Sequence, residues 1–586
     1  MKQENPQSIS PHIWLVTIIF AVACAINFNS IFNGFVYDDI SQILGNRWIT
    51  DIKYLPDVFS KNVAGFDPRY ATSYYRPMMY VIYMCNYFLF GLHPWGYHLT
   101  NILLHSCVSV LVYLIVLKIV NSDGTVNSSN LRKPAFLAAL IFATHTVHSE
   151  PVAWVAALPE LSFTLFYLLS FYSYIKATEQ APSLKATFYT VAVLAFFVST
   201  LSKETALTLP VMLLVYDYYF RKDKVSSPVS NLKRHLPFWG VVALYFVLRI
   251  HALGGFAPSV KHKGLSAWEY FINVFPLFSG YLGKLFLPVN LSAFHGFHPI
   301  SSLAEPRGIY AFAVTALFLT IATIAFRRSR ELFFGLILLL VPLLPALYMP
   351  GLGENAFAER QVYLPSVGFV IVLAWFFSRM VNVPRIGKIA LLLPWLMIVA
   401  YSAGTVSRNG VWKDEYSLWA DAVEKHPDSA TAHAYLGYAL YGRGMIDEAI
   451  DHYQKSLRIN PDLIDAHINL GVAYSARKLT DRAIEEYRKA LALSPSAVEA
   501  HTYLGEAYIE KGWTRQAMEQ LQTALGNDPD SSRIRHDLGI AYGNAGLLDR
   551  AVEHFEAAVR LEPSNPVYRE NLAKAQGMKY SGGKES

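Results

Sequence analysis

The chain has 586 residues, 53% of them hydrophobic and only 16% charged, with a formal net charge of +6 and a mean hydropathy of +0.27. A soluble domain carries about 25% charged residues, so most of this chain needs a solvent other than water. So small a net charge gives no reason to expect nucleic acid, and Cys24, Cys85 and Cys107 have neither metal-ligand spacing nor the density of a disulfide framework.

The first apolar run, from about Ile13 to Phe32, follows Lys2 and lacks a convincing small-residue cleavage site, so it reads as a retained first span, with a signal peptide the lesser alternative. Helices of about 20 apolar residues cross a hydrocarbon core of about 30 Å. Further candidates lie near 97–118, 134–147, 160–176, 186–201, 205–220, 236–253, 268–287, 308–326, 332–350, 361–379 and 388–406. Four basic clusters punctuate them: Lys118 with Arg132 and Lys133; Arg221 to Arg234; Arg327 to Arg330; and Arg379 to Lys388. Cytoplasmic loops hold such clusters. All four share one side only if the two candidates between Pro237 and Pro288 make one net crossing, which leaves about eleven spans. An odd count with a cytoplasmic N-terminus places the C-terminal part outside the cytoplasm, in a periplasm or an endoplasmic-reticulum lumen.

Residues 33–97 form a long first external loop. Its second half, Tyr75 to Leu92, is apolar but interrupted by Arg76, Pro77 and Asn86, which suits helices lying along the membrane surface. The loop opens on GFVYDDI, in which Asp38 and Asp39 are adjacent carboxylates just past the first span. Such a pair is tolerable when solvated, when it binds a metal, or when one member carries a proton as a general base.

From Trp412 the composition changes. Pro427, Pro461, Pro495, Pro529 and Pro563 recur every 34 residues, the period of the tetratricopeptide repeat. Gly437, Gly471, Gly505 and Gly539 fall where two helices approach closely, with Tyr453, Tyr487, Leu521 and Phe555 at the bulky position opposite. The expected organisation is a membrane body over 1–411 and an α-solenoid over 412–577. The solenoid comprises a half repeat (412–429), four repeats (430–565) and a capping helix (566–577), before a disordered tail (578–586). The first helices of the repeats should turn Tyr438, Tyr441, Asn469, Tyr503, Glu506 and Asp537 into a concave groove suited to an extended peptide. The fold class is therefore all-α.

A first span, an acidic pair and a loop with surface helices open the polyprenyl-linked membrane glycosyltransferases of the C type. The runs YYRPMMYVIYMCNYFLFGLHPWGYHLTNILLH (74–105), HTVHSEPVAWVAALPEL (145–161), LSKETALTLP (201–210) and ERQVYLPSVGF (359–369), together with the repeats, resemble the transmembrane-and-tetratricopeptide-repeat family. That resemblance implies transfer of a sugar, mannose in the animal members, from a polyprenyl-phosphate donor to a protein hydroxyl recruited by the repeats. It implies Asp38 or Asp39 as base or metal ligand, with a divalent metal, Mg or Mn, left open. The departing phosphate needs cationic groups, for which Arg76 and Lys203 are the first candidates and Arg360 the next. Each has a structural alternative: headgroup contact for Arg76, pairing with Glu204 for Lys203, and pairing with Glu359 for Arg360.

His98, His145, His148, Glu150, Glu204 and Glu359 are candidates for sugar or acceptor contact. The spacing of His145, His148 and Glu150 also admits a metal or an interfacial polar cluster, and His98 and His105 share a face of the second span. The rival readings are transfer to a lipid or surface glycan, and a non-catalytic membrane scaffold that uses its repeats to assemble other proteins.

Overall fold

A computed structural model describes residues 11–66, 74–120, 128–179, 181–221, 228–255, 265–296, 298–348, 356–380 and 387–582. No β-strand occurs among the described residues. The chain divides into two compact units, Met1–Leu418 and Trp419–Ser586.

The first unit contains α1 (Pro11–Asn27), α2 (Pro77–Phe90), α3 (Pro94–Val120), α4 (Ser128–Thr144), α5 (Leu158–Glu179), α6 (Pro182–Ser202) and α7 (Leu209–Phe220). It continues with α8 (Pro228–Leu253), α9 (Ala267–Phe286), α10 (Pro306–Arg328), α11 (Arg330–Leu340), α12 (Pro365–Met380) and α13 (Gly387–Asn409). Seven helices among the described residues are long and apolar enough to cross a membrane, and Pro77–Phe90, Lys133–Thr144 and Pro365–Met380 are shorter apolar helices. This is a multi-pass membrane protein.

Burial sorts the spans. The α5 span is 78% buried inside the protein and the α8 span 17%. Apolar residues left outside, such as Leu317 and Ile309 on α10, suit hydrocarbon rather than water. In the buried layer small hydroxyls join helices. Ser170 donates to the Ala192 carbonyl at 2.6 Å and Ser199 to that of Phe163 at 2.8 Å, which locks α5 and α6 antiparallel.

Residues 33–66 are an irregular run of short helical turns that includes the six-residue helix Leu55–Ser60. Asn33 donates its side-chain amide to the Asn409 carbonyl at 3.0 Å, and the Gly34 N–H donates to Lys413 at 2.9 Å. Trp412 stacks on Trp154 with centroids 5.6 Å apart. These bonds draw 412–418 into the membrane unit. The change of unit therefore falls seven residues beyond the change of composition at Trp412.

The second unit is a regular solenoid. After α14 (Glu415–Lys425), which carries the chain across the unit boundary, come α15 (Ala430–Gly442), α16 (Ile446–Ile459), α17 (Ile464–Ala476), α18 (Thr480–Leu493), α19 (Val498–Glu510), α20 (Thr514–Asn527), α21 (Ser532–Asn544) and α22 (Leu548–Leu561). A Cβ on Gly437 would meet the Tyr453 ring at 2.7 Å, and one on Gly505 would meet Leu521 at 2.6 Å, so glycine sets the spacing of each helix pair.

The proline period has a partner absent from the sequence reading. His433, His467 and His501 each donate Nε2–H to the carbonyl of the proline six residues earlier, at 2.9–3.1 Å. The final helix, α23 (Pro566–Gly582), runs beyond 577. Residues 578–582 are thus helical rather than tail, and 583–586 lie outside the described residues.

Candidate active site

The acidic pair lies where the irregular loop meets the turn between α4 and α5, and its two members differ. Asp39 is completely buried. Its Oδ2 accepts the Val36 N–H at 3.0 Å and its Oδ1 accepts the Ala156 N–H at 2.7 Å. Burial opposes its ionisation, whereas these donors favour it. Burial prevails and raises its carboxyl well above the usual carboxylate range, and with both oxygens accepting, Asp39 pins the loop to the 155–157 turn.

Asp38 is only partly buried. Burial pushes its carboxyl up to about 6; the Arg360 charge opposes that shift and Glu415 adds to it. Of the two, Asp38 alone combines access with a proton affinity near neutrality, the property of a general base.

Tyr37, immediately before it, has φ of +55°, a conformation that costs a non-glycine residue about 1–2 kcal/mol. Its N–H donates to Glu415 Oε1 at 2.5 Å, and its ring stacks on Trp154 at 5.7 Å. The Arg360 guanidinium covers the Trp154 ring at 5.2 Å.

Every cation predicted to hold phosphate is paired. Arg360 donates to Glu150 through both its backbone N–H (2.9 Å) and Nη1 (2.5 Å), so its partner is Glu150 rather than Glu359. Its side chain keeps 26% of its surface. Arg76 binds Glu204 in a two-pronged pair at 2.8 and 3.3 Å and lies over the Tyr74 ring at 4.2 Å. Burial works against the Glu204 carboxylate, but Arg76 overcomes it and holds the group at about 2. Lys203 pairs not with Glu204 but with Glu160, at 2.5 Å, and with Gln361 at 3.0 Å. It is 3% exposed, which removes it as a direct phosphate ligand. Arg360, third in the sequence ranking, is therefore the cation whose charge acts on Asp38.

The candidates for sugar or acceptor contact divide the same way. His145 accepts the Val147 N–H at Nδ1 and donates Nε2–H to Leu285 at 2.9 Å. His148 bonds Ser366 at 3.0 Å. His105 accepts the Tyr363 hydroxyl at 2.7 Å and donates to Ala143 at 3.1 Å. His98 reaches the Gly34 carbonyl at 3.4 Å. All four imidazoles are buried. Glu359 accepts from the Ser292 N–H and His295 and so holds the segment around 292–295. These groups are buried and bonded within the protein.

Among the described residues no group of three or more His, Cys, Asp or Glu is arranged to hold a metal ion. The oxygens of Asp39 and the ring nitrogens of His145 are committed to the protein. Asp39 and His145 are therefore not available as ligands of a divalent metal.

In the repeats, Tyr438 is exposed, and Tyr503 stacks on Tyr487 at 5.8 Å. Tyr441, Asn469 and Glu506 are partly exposed. Asp537 is 7% exposed and bonded to His536, so it backs the groove instead of lining it. Arg533, which sequence reading missed, pairs with Glu506 and covers the Tyr503 ring at 4.7 Å. Burial first, then the Asp537 charge, raises Glu506 to about 7. Sequence reading also missed Glu415, which lies in the half repeat 412–429 assigned to the solenoid, and Glu160 with Trp154. Those two lie within the quoted run 145–161, where their apolar neighbours masked them.

Tetratricopeptide-repeat families match residues 437–477, 476–538 and 532–565. Protein O-mannosyl-transferase TMTC3 of Mus musculus is 26% identical over 485 residues, covering 76% of this chain and 51% of that protein. TMTC4 of Homo sapiens is 27% identical over 506 residues, covering 76% and 66%. Over that shared length, the chain is similar to the TMTC protein O-mannosyl-transferases. It spans about half the length of TMTC3. A solved thermophilic repeat protein, TTC0263 of Thermus thermophilus, is 21% identical over 31% of this chain and 96% of its own, with a TM-score of 0.25.

Proposed function

We propose that this protein is a membrane glycosyltransferase that moves a sugar, mannose by its relatives' names, from a polyprenyl-phosphate donor to a protein hydroxyl. The observation that carries the reading is the part-exposed Asp38, its carboxyl raised to about 6 and flanked by Arg360. The acceptor oxygen attacks the anomeric carbon and passes its proton to Asp38. The bond from that carbon to the phosphate oxygen breaks, and the phosphate keeps the electron pair. A hydroxyl is a poor nucleophile at neutral pH, which is why a positioned carboxylate matters. Arg360, held by Glu150 and Trp154, offers its remaining N–H groups and charge to the leaving phosphate; Arg76 is the next candidate. The repeats present the acceptor through the Tyr438–Tyr503 side of the groove, on the non-cytoplasmic side of the membrane.

The test is transfer from labelled polyprenyl-phosphate sugars to a peptide by purified wild-type protein and Asp38→Asn, with matched folding. Loss of a positioned base typically costs about 10²–10⁴-fold in rate. The wild-type rate should fall as pH drops through about 6, because protonated Asp38 cannot accept a proton. Full activity in Asp38→Asn would remove the base from this position. Robust partner binding by the repeats without transfer from any donor would favour a scaffold.

A further inference from the structure

The segment leading out of the last membrane helix is stitched to the acidic loop along its length. Asn409 donates to the side-chain oxygen of Asn29 at 3.0 Å and accepts from Asn33 through its carbonyl. Lys413 accepts the Gly34 N–H, Trp412 stacks on Trp154, and Glu415 accepts the Tyr37 N–H. The contacts run in order toward the pair, and the last falls on the residue with left-handed backbone beside Asp38. Such a conformation persists only when its surroundings over-determine it.

We propose that Glu415 is a positioning residue for the transfer reaction: by fixing the strained Tyr37 backbone it aims Asp38, so the connector 409–415 completes the active site. The inference rests on Asp38 being the base. The carboxylate of Glu415 has two separable effects. Its oxygen holds the Tyr37 N–H, and its charge disfavours ionisation of Asp38. The other groups acting with Asp38 are Asp39 on the same turn, Arg360 from the segment before α12, and Tyr80 and Tyr83 on α2. A glutamine at 415 keeps an acceptor oxygen and drops the charge; an alanine loses both.

The experiment compares full-length wild type, Asp38→Asn, Glu415→Gln and Glu415→Ala for kcat, KM and the pH–rate profile, with matched thermal unfolding. Glu415→Ala should lower kcat by about 10-fold or more with KM for donor and acceptor little changed, the signature of a lost orientation. Glu415→Gln should recover most of that kcat at about pH 8, and the acid limb of its profile should move to lower pH. If Asp38→Asn is inactive while Glu415→Ala matches wild type, the positioning role is wrong and the base survives. Equal losses in the Ala and Gln variants with an unmoved pH profile would make Glu415 merely structural and overturn the proposal. An active Asp38→Asn would overturn both.

Discussion

The two units use charge in opposite ways. In the repeats, pairs such as Arg477 with Asp447 and Lys478 with Glu510 are solvent-exposed, and stability rests on the glycine-to-aromatic seams and alanines of stacked helices. In the membrane unit Glu160, Lys203, Glu150 and Asp39 are almost without solvent contact, and each is held by another charge or by backbone N–H groups. Taking a charge out of water costs several kcal/mol, so such a group survives only while its partner does. Exposed pairs carry no such penalty and contribute about 0–1 kcal/mol. The membrane unit buries full charges such as Glu160 and Lys203, whereas most ion pairs of the repeats lie in solvent, with Asp537 and Glu486 the buried exceptions.

The largest effect expected from breaking this contrast is in the buried pairs. Glu160→Gln leaves the Lys203 ammonium, 3% exposed, without its paired carboxylate and with Gln361 as its remaining hydrogen-bond partner. It should cost about 3–5 kcal/mol, read as a fall in the unfolding temperature of the membrane unit. A shift no larger than that of an exposed pair would mean that water reaches the site. Asp39→Asn ranks next. One of its two acceptor oxygens becomes an NH₂, which leaves a buried backbone N–H at Val36 or Ala156 unsatisfied, at about 1–3 kcal/mol. Hydrogen exchange at Ala156 should accelerate; unchanged protection would show that the loop is held elsewhere.

The same contrast explains what could be read from sequence. The repeats were legible because their contacts are local and periodic. The 34-residue proline register fixes the helix pairs, and Gly437 opposite Tyr453 follows from it. The membrane unit was legible as apolar helices, since hydropathy reports solvent. Its site was not, because the partners are far apart in the chain: Arg76 with Glu204, Lys203 with Glu160, Arg360 with Glu150 and Tyr37 with Glu415. Pairing to the adjacent residue, the default for Lys203-Glu204 and Glu359-Arg360, fails because neighbours on a turn point to different sides. Nor could sequence split Asp38 from Asp39. Only the bend at Tyr37 sends one inward to two N–H groups and leaves the other accessible.

Two smaller perturbations test the repeat side. Gly437→Ala gains about 1 kcal/mol of intrinsic helix preference, yet its Cβ would meet the Tyr453 ring at 2.7 Å. Overpacking of this kind costs about 1–3 kcal/mol, and Tyr453 is 1% exposed and cannot swing away. The net should be a loss near ~1 kcal/mol confined to α15 and α16, seen as faster amide exchange there. Stabilisation instead would mean that the seam relaxes freely.

Arg477→Gln should do least. Its guanidinium pairs with Asp447 across neighbouring repeats, but the side chains keep 44% and 73% of their surface. Water therefore solvates both members before and after the change, and salt screens what attraction remains. Exchange rates in α16 and α17 should stay within a factor of about five of wild type, which corresponds to no more than about 1 kcal/mol. A larger loss, reduced at high salt, would show the exposed pair acting within a network. The repeats would then resemble the membrane unit in resting on charge, and the contrast between the two would be one of degree.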